Sequence, residues 1–99
     1  MEKNTMEDRI KTQHPQGKQG VNIEKNKYEQ VKEAILEVLD GKSLTHKELT
    51  DEVSELLRGS FDGSIAWYTE TVKLDLEARR LIERDTSLSP ARYRISVVA

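Results

Sequence analysis

The spacing of apolar residues after Tyr28 constrains the fold of this 99-residue chain more than any other feature. Three segments carry apolar side chains at intervals of three and four, which predicts three amphipathic helices, and a final segment alternates apolar and polar residues. We expect helices over about 26–39 and 46–57, a third helix that follows Ser64 and runs to about residue 79 or 80, and a β-hairpin formed by residues 81–85 and 91–97. The helical residues expected to be buried are Val31, Ala34, Ile35, Val38, Leu39, Leu49, Val53, Leu56, Leu57, Ile65, Tyr68, Val72 and Leu76.

Local signals mark the ends of these helices. Thr45 stands three residues before Glu48, the spacing of a capping box at the start of the second helix. Ser64 is a suitable cap for the third helix, and Gly41 suits the left-handed position that ends the first.

The expected order is helix, short extended step, helix, turn, helix and hairpin. This is the order of a winged helix-turn-helix, an α+β fold in which a β-hairpin wing follows three helices. We place this domain at residues 26–97. Residues 1–25 carry few apolar side chains and no regular period, so we expect a flexible N-terminal tail in which Val21 and Ile23 are the groups able to dock.

Four segments carry a resemblance to a known family: His14–Lys18, Lys27–Tyr28, Gly63–Tyr68 and Ser89–Arg94. In these segments the chain resembles a small bacterial family of unknown function with a winged-helix fold. The resemblance implies that fold but no activity, because the family is uncharacterised. Arg80 departs from the winged-helix pattern, which usually has glycine after the third helix. We therefore expect an unusual backbone conformation at Arg80 or a different helix end.

The charge is unevenly distributed along the chain. Residues 1–27 carry +2, residues 28–63 carry −5 and residues 64–99 carry +1, which gives the net charge of −2. A sequence pI near 5.7 indicates no general attraction to nucleic acid, so DNA binding would need a local basic patch.

Two functions suit this fold, and the first is binding of double-stranded DNA in bacterial gene regulation. A helix-turn-helix reads bases with the exposed residues of its third helix, and its wing contacts the backbone. Thr69 and Lys73 are the expected readers, Arg92 and Arg94 point outward on the wing, and Lys18 adds a phosphate contact from the tail. The competing interpretation is that these are ordinary solvated charges.

The second function is protein–protein interaction through the acidic face of the first two helices, with no nucleic-acid binding. The same charges are also typical of a face that only aids solubility. The acidic residues concerned are Glu29, Glu33, Glu37, Glu48, Asp51, Glu52 and Glu55.

Other classes of function have little support in the sequence. The chain has no cysteine, and His14 and His46 lack the spacing of metal ligands, so we expect no metal and no cofactor. Its carboxylates fall on faces predicted to be exposed, so we expect neither an enzyme nor a small-molecule substrate. No segment is apolar enough for a signal peptide or a membrane span, so we expect a cytoplasmic protein. The aromatic residues Phe61, Trp67, Tyr68 and Tyr93 are expected in the core or at its edge.

Overall fold

The computed structural model describes residues 8–97, and these form an α+β domain with three helices and two small antiparallel sheets. None of the helices in this range has the length and apolar content needed to cross a bilayer. In chain order the elements are β1 Arg9–Lys11, β2 Asn22–Glu24, α1 Lys25–Val38, β3 Leu44–Thr45, α2 His46–Leu57, α3 Ile65–Ala78, β4 Ile82–Asp85 and β5 Arg92–Ile95.

The three helices and the C-terminal hairpin confirm the element order expected from the sequence. β3, between α1 and α2, pairs with β5, and β5 pairs with β4, so the three strands form one sheet in the order β3-β5-β4. Leu44 stands opposite Tyr93, and Arg84 also stands opposite Tyr93 on the other side. The strand step before α2 is therefore joined directly to the hairpin that follows α3.

The predicted helix ends are also present. Thr45 and Glu48 form both halves of the capping box, and the Ser64 hydroxyl accepts from the backbone N–H of Trp67. Arg80 has a φ of 65°, which is the first of the two alternatives expected from the sequence. Its N–H donates to the Glu77 carbonyl, and the next N–H, of Leu81, donates to Leu76. This is a Schellman motif in which arginine occupies the position that usually favours glycine.

The three helices pack around one apolar core, and the five residues predicted to be buried in the first helix are all buried, including Leu39, which caps the end of α1. The expectation for Leu56 is wrong, because its side chain is 44% exposed. Leu57 is the residue buried in the core at this end of α2, whereas Leu56 faces an open groove beside Val38 of α1. Among the aromatic residues Tyr93 is buried and Phe61 packs on the core, whereas Trp67 is 46% exposed.

Residues 8–24 correct the expectation of a flexible tail, while residues 1–7 lie outside the described part of the chain. Strands β1 and β2 form an antiparallel hairpin that packs on α1, with Ile23 and Thr12 buried. Val21 is partly exposed, although its N–H donates to the Thr12 hydroxyl at 2.9 Å. The backbone ladder, rather than a large apolar surface, holds this hairpin together, so counting apolar residues does not reveal it.

Asp75, which is fully buried in α3, fastens the N-terminal hairpin to the helices. Its carboxylate accepts from the Gln13 N–H at 2.8 Å, from the Tyr28 hydroxyl of α1 and from Arg79 Nε at 2.8 Å. Burial, together with the hydrogen bond to Asp75, holds the pKa of the Tyr28 phenol well above its usual range. One side chain thus joins α3 to two segments that lie 62 and 47 positions away in the sequence.

Candidate functional site

Helix α3 is covered on more sides than a typical surface helix. It packs against α1, α2 and β4, and the Gln13 N–H is bound to its Asp75. As a result Thr69 and Lys73, which the sequence placed on an outward DNA-reading face, are 0% and 4% exposed. The expected outward position of both side chains is therefore wrong. The Thr69 hydroxyl has no hydrogen-bond partner in the described part of the chain.

The buried ammonium of Lys73 is held by neutral groups. Its Nζ donates to the Tyr93 hydroxyl at 3.2 Å, lies 4.3 Å from the centre of the Tyr93 ring, and lies 3.1 Å from Nδ1 of His46. Within residues 8–97 no carboxylate oxygen lies within 4.0 Å of this nitrogen. Lys73 is thus a buried cation without an ionic partner in the described chain.

His46 serves Lys73 as a neutral acceptor. An ammonium group can only donate, so Nδ1 of His46 accepts and the ring proton resides on Nε2, which lies 3.3 Å from Glu70 Oε1. Burial first, and then the charge of Lys73, lower the pKa of His46 below its ordinary value, and Glu70 opposes this shift. This role was not predicted from the sequence. His46 directly follows β3, and the pairing of β3 with the strand of Tyr93, which the sequence pattern does not show, accompanies its contact with Lys73.

A cavity of about 270 Å³ opens next to Lys73, where the loop between β1 and β2, α3 and the β4–β5 hairpin meet. Lys18 and Arg84 are exposed at this cavity and make no ion pair with other described residues. Glu70 and Glu77 contribute two carboxylates, so three cations face two anions. The lining consists of His14, Pro15, Gln16, Lys18, Glu70, Lys73, Leu74, Glu77, Arg84 and Tyr93.

The two arginines of β5, Arg92 and Arg94, contact other groups of the chain. Arg92 donates to the Ser43 carbonyl at 2.9 Å and lies 3.4 Å from Glu48. Arg94 pairs with Glu83 at 3.1 Å and with Asp85 at 3.3 Å across β4 and β5. Of the five residues selected from the sequence, Lys18 and Lys73 meet at one cavity in the described part of the chain, and the two arginines brace the small sheet.

A second candidate surface is the groove of about 490 Å³ between α1 and α2, hereafter the acidic groove. Val38 and the exposed side of Leu56 form its apolar part. Lys42 pairs with Glu52 at 2.8 Å, and outside the groove Lys47 pairs with Asp51 at 2.9 Å. The charged residues that line the groove are Glu37, Lys42, Asp51, Glu52 and Glu55.

The fold and these surfaces define a small α+β domain, and two of the cavities in its described part are candidate sites. Residues 9–93 match the Family of unknown function (DUF6958), and because the match spans well over half of the chain, the protein belongs to that family. This confirms the expected membership of an uncharacterised family. No curated protein and no solved structure matches the chain significantly.

Proposed function

We propose that this protein is an interaction module of the winged-helix type, which binds a basic amphipathic segment of a partner protein in the acidic groove. The observation that carries the proposal is the 44% exposure of Leu56, in a helix whose other predicted core residues are buried. Four carboxylates and one lysine surround this exposed leucine and Val38. An apolar site with a charged rim is the usual form of a groove that binds an amphipathic helix.

The strand order supports the winged-helix part of the proposal. Three helices are followed by the β4–β5 hairpin, and the strand between α1 and α2 joins the same sheet in the order β3-β5-β4. The connection of residues 58–64 between α2 and α3 is longer than the three or four residues of the simplest helix-turn-helix.

Charge complementarity selects the partner. The groove lining carries four acidic side chains and one basic one, a net of −3. Lys47 and Arg58 pair with Asp51 and Glu55, but these pairs are exposed and close in sequence, so a partner's cations can replace them at small cost. An apolar side chain of the partner would cover Leu56, and its lysines or arginines would meet the rim.

DNA binding in bacterial gene regulation remains a prediction, and the element order is what favours it. The residues predicted to contact DNA give DNA binding less support, because Thr69 and Lys73 are buried and both wing arginines pair with carboxylates. We therefore treat duplex DNA as the competing ligand in the same experiment.

The test is an NMR titration of labelled full-length protein with a synthetic peptide of leucine and lysine in helical heptads. Matched peptides with glutamate in place of lysine, and a mixed-sequence duplex at ~50 mM and ~200 mM salt, serve as alternative ligands. We expect the basic peptide to shift the amides of α1 and α2 that surround Leu56, and the acidic peptide to leave them unchanged.

The variant Leu56→Glu should weaken the peptide at least about tenfold, since it removes the apolar contact and adds repulsion from the rim. Leu88→Glu is the matched control, because Leu88 is 49% exposed and lies in the wing loop. The proposal would be contradicted if the two substitutions changed the peptide affinity equally. It would also be contradicted if only the duplex caused shifts, and these lay at α3 and the wing.

A further inference from the structure

No carboxylate in the described part of the chain offsets the free-energy cost of burying the Lys73 ammonium. An ammonium group that leaves water loses several kcal/mol of solvation unless an anion or a full set of acceptors replaces it. Lys73 has a neutral imidazole, a phenol hydroxyl and an aromatic face, which together satisfy its donors only in part. These contacts hold the cation in place without neutralising it.

The cavity beside Lys73 brings two further cations toward the same space. Lys18 comes from the loop between β1 and β2, and Arg84 comes from β4, directly opposite Tyr93. These side chains approach from different elements, so local sequence does not explain why they meet. Arginine is suited to bind an oxyanion with two parallel hydrogen bonds, and lysine adds a point charge.

The other lining residues limit the size and chemistry of a ligand. About 270 Å³ is below the range usual for drug-sized molecules, and at about 30 Å³ per water-sized group it holds a ligand of roughly nine heavy atoms or fewer. Glu70 and Glu77 are also part of the lining and would repel a second anionic group. They would instead accept hydrogen bonds from hydroxyl or ammonium groups of the same ligand.

From this arrangement we propose that the cavity is a binding site for a small oxyanion, a phosphate or carboxylate group held by Lys73, Arg84 and Lys18. This site shares no residue with the acidic groove, so the proposal does not depend on the proposed function. The source of the oxyanion is a free small molecule rather than the backbone of a nucleic acid, because a cavity rimmed by Glu70 and Glu77 disfavours a polyanion.

The test uses inorganic phosphate as the probe and chloride at matched ionic strength as its control, with the amides of the full-length protein followed by NMR. We expect saturable shifts at residues 14–18, 70–77, 84 and 93 with phosphate and none of that pattern with chloride. Phosphate should also raise the Tm, because a ligand that binds only the folded state stabilises it.

Arg84→Gln should weaken phosphate binding about tenfold, because one charged hydrogen-bonding partner is lost. Lys32→Gln on α1 is the control and should leave the affinity unchanged. Lys73→Met keeps the approximate length of the buried side chain and should abolish saturable phosphate binding. Arg84 is exposed, so Arg84→Gln still tests the site if Lys73→Met disturbs folding.

Three results would overturn the proposal. The first is an identical pattern with chloride, which would indicate only charge screening. The second is equal phosphate affinity in Arg84→Gln and Lys32→Gln. The third is a set of amide shifts at these residues that a DNA duplex causes and that inorganic phosphate, at the same total concentration of phosphate groups, does not. This result would indicate a nucleic-acid surface.

Discussion

Asp75 shows how one residue can fix the relation of three elements. Its buried carboxylate accepts from the Gln13 N–H, the Tyr28 hydroxyl and Arg79. Each partner belongs to a different segment, and the Gln13 bond spans 62 positions of the sequence. The pattern of α3 alone gives no sign of this, since an aspartate among apolar residues is expected at the surface.

Replacement of Asp75 by asparagine should therefore destabilise the protein by about 2–3 kcal/mol, because a buried charged acceptor is lost. Asparagine keeps one acceptor but removes the charge that binds Arg79. The measurement is the free energy of unfolding in urea. Asp62→Asn is the control, since Asp62 is exposed and such changes usually stay within about 0.5 kcal/mol. A loss no larger than that of the control would show that Asp75 is not the fastening point.

His46 reports on the buried charge of Lys73. Removal of that charge in Lys73→Met should raise the pKa of His46 toward its ordinary value of 6.5, although burial still lowers it. An NMR titration of the imidazole protons measures the change, and Lys42→Met, which removes a cation paired with Glu52 instead, should leave it unaltered. An unchanged pKa in Lys73→Met would contradict the contact between Lys73 and Nδ1.

The same shift has a consequence for stability. The folded pKa of His46 lies below the unfolded one, so the unfolded chain binds more protons in the interval between them. The contribution of His46 to the free energy of unfolding therefore falls as the pH drops below about 6.5 toward the folded pKa. Above that interval the imidazole is neutral in both states and contributes nothing further.

At the scale of elements, the N-terminal hairpin depends on a close approach between Gly20 and Thr12, just beyond the ends of its two strands. A Cβ atom at Gly20 would overlap the carbonyl oxygen of Thr12, whereas Gly17, in the connecting loop, has open space at the same place. Gly17 has a φ of +76°, so alanine there is strained without any clash.

Gly20→Ala should therefore cost about 2 kcal/mol or more, since the backbone of Thr12 must move, and Gly17→Ala should cost about 1 kcal/mol. Hydrogen exchange at the Thr12 amide, which donates to Val21 at 2.8 Å, separates the two effects. We expect this amide to lose protection in Gly20→Ala and to keep it in Gly17→Ala. Equal protection would mean that the hairpin accommodates a side chain at position 20.

The elements that sequence reasoning found are those that local chemistry determines. The helices follow from apolar spacing, and Thr45 with Glu48 fixes the start of α2. The N-terminal hairpin was missed because its strands are three residues long, and the spacing of apolar residues cannot reveal so short a ladder. The positions of Thr69 and Lys73 were wrong because a single helical stripe assumes one covered face, whereas α3 packs against α1, α2 and β4.

The candidate sites depend even more on distant residues. Lys18 and Lys73 were selected from the sequence for contact with a duplex, but their meeting with Arg84 results from the docking of the N-terminal loop. The acidic residues of α2 could be recognised from charge alone. The exposure of Leu56 could not be recognised from the sequence, because the spacing of apolar residues placed Leu56 on the buried side of the helix.

At the scale of the whole molecule, the N-terminal hairpin acts as a part of the core. Burial of Ile23 contributes about 1.5–3 kcal/mol, and the charged hydrogen bond from Gln13 to Asp75 adds about 1.5–3 kcal/mol. Small domains are stable by only about 5–15 kcal/mol, and part of this gain is offset by the entropy of ordering the hairpin. Its loss should therefore leave residues 25–99 marginally stable.

We predict that a chain beginning at Lys25 loses about 2–4 kcal/mol of unfolding free energy relative to one beginning at Asp8. The second chain retains every described residue, so the difference measures the hairpin alone. Urea unfolding followed by Trp67 fluorescence and by circular dichroism gives both values, and coincident curves would show that the hairpin and helices of the longer chain unfold together. Equal stability of the two chains would support the flexible tail expected from the sequence, because a segment that contributes nothing to the free energy of unfolding is not part of the core.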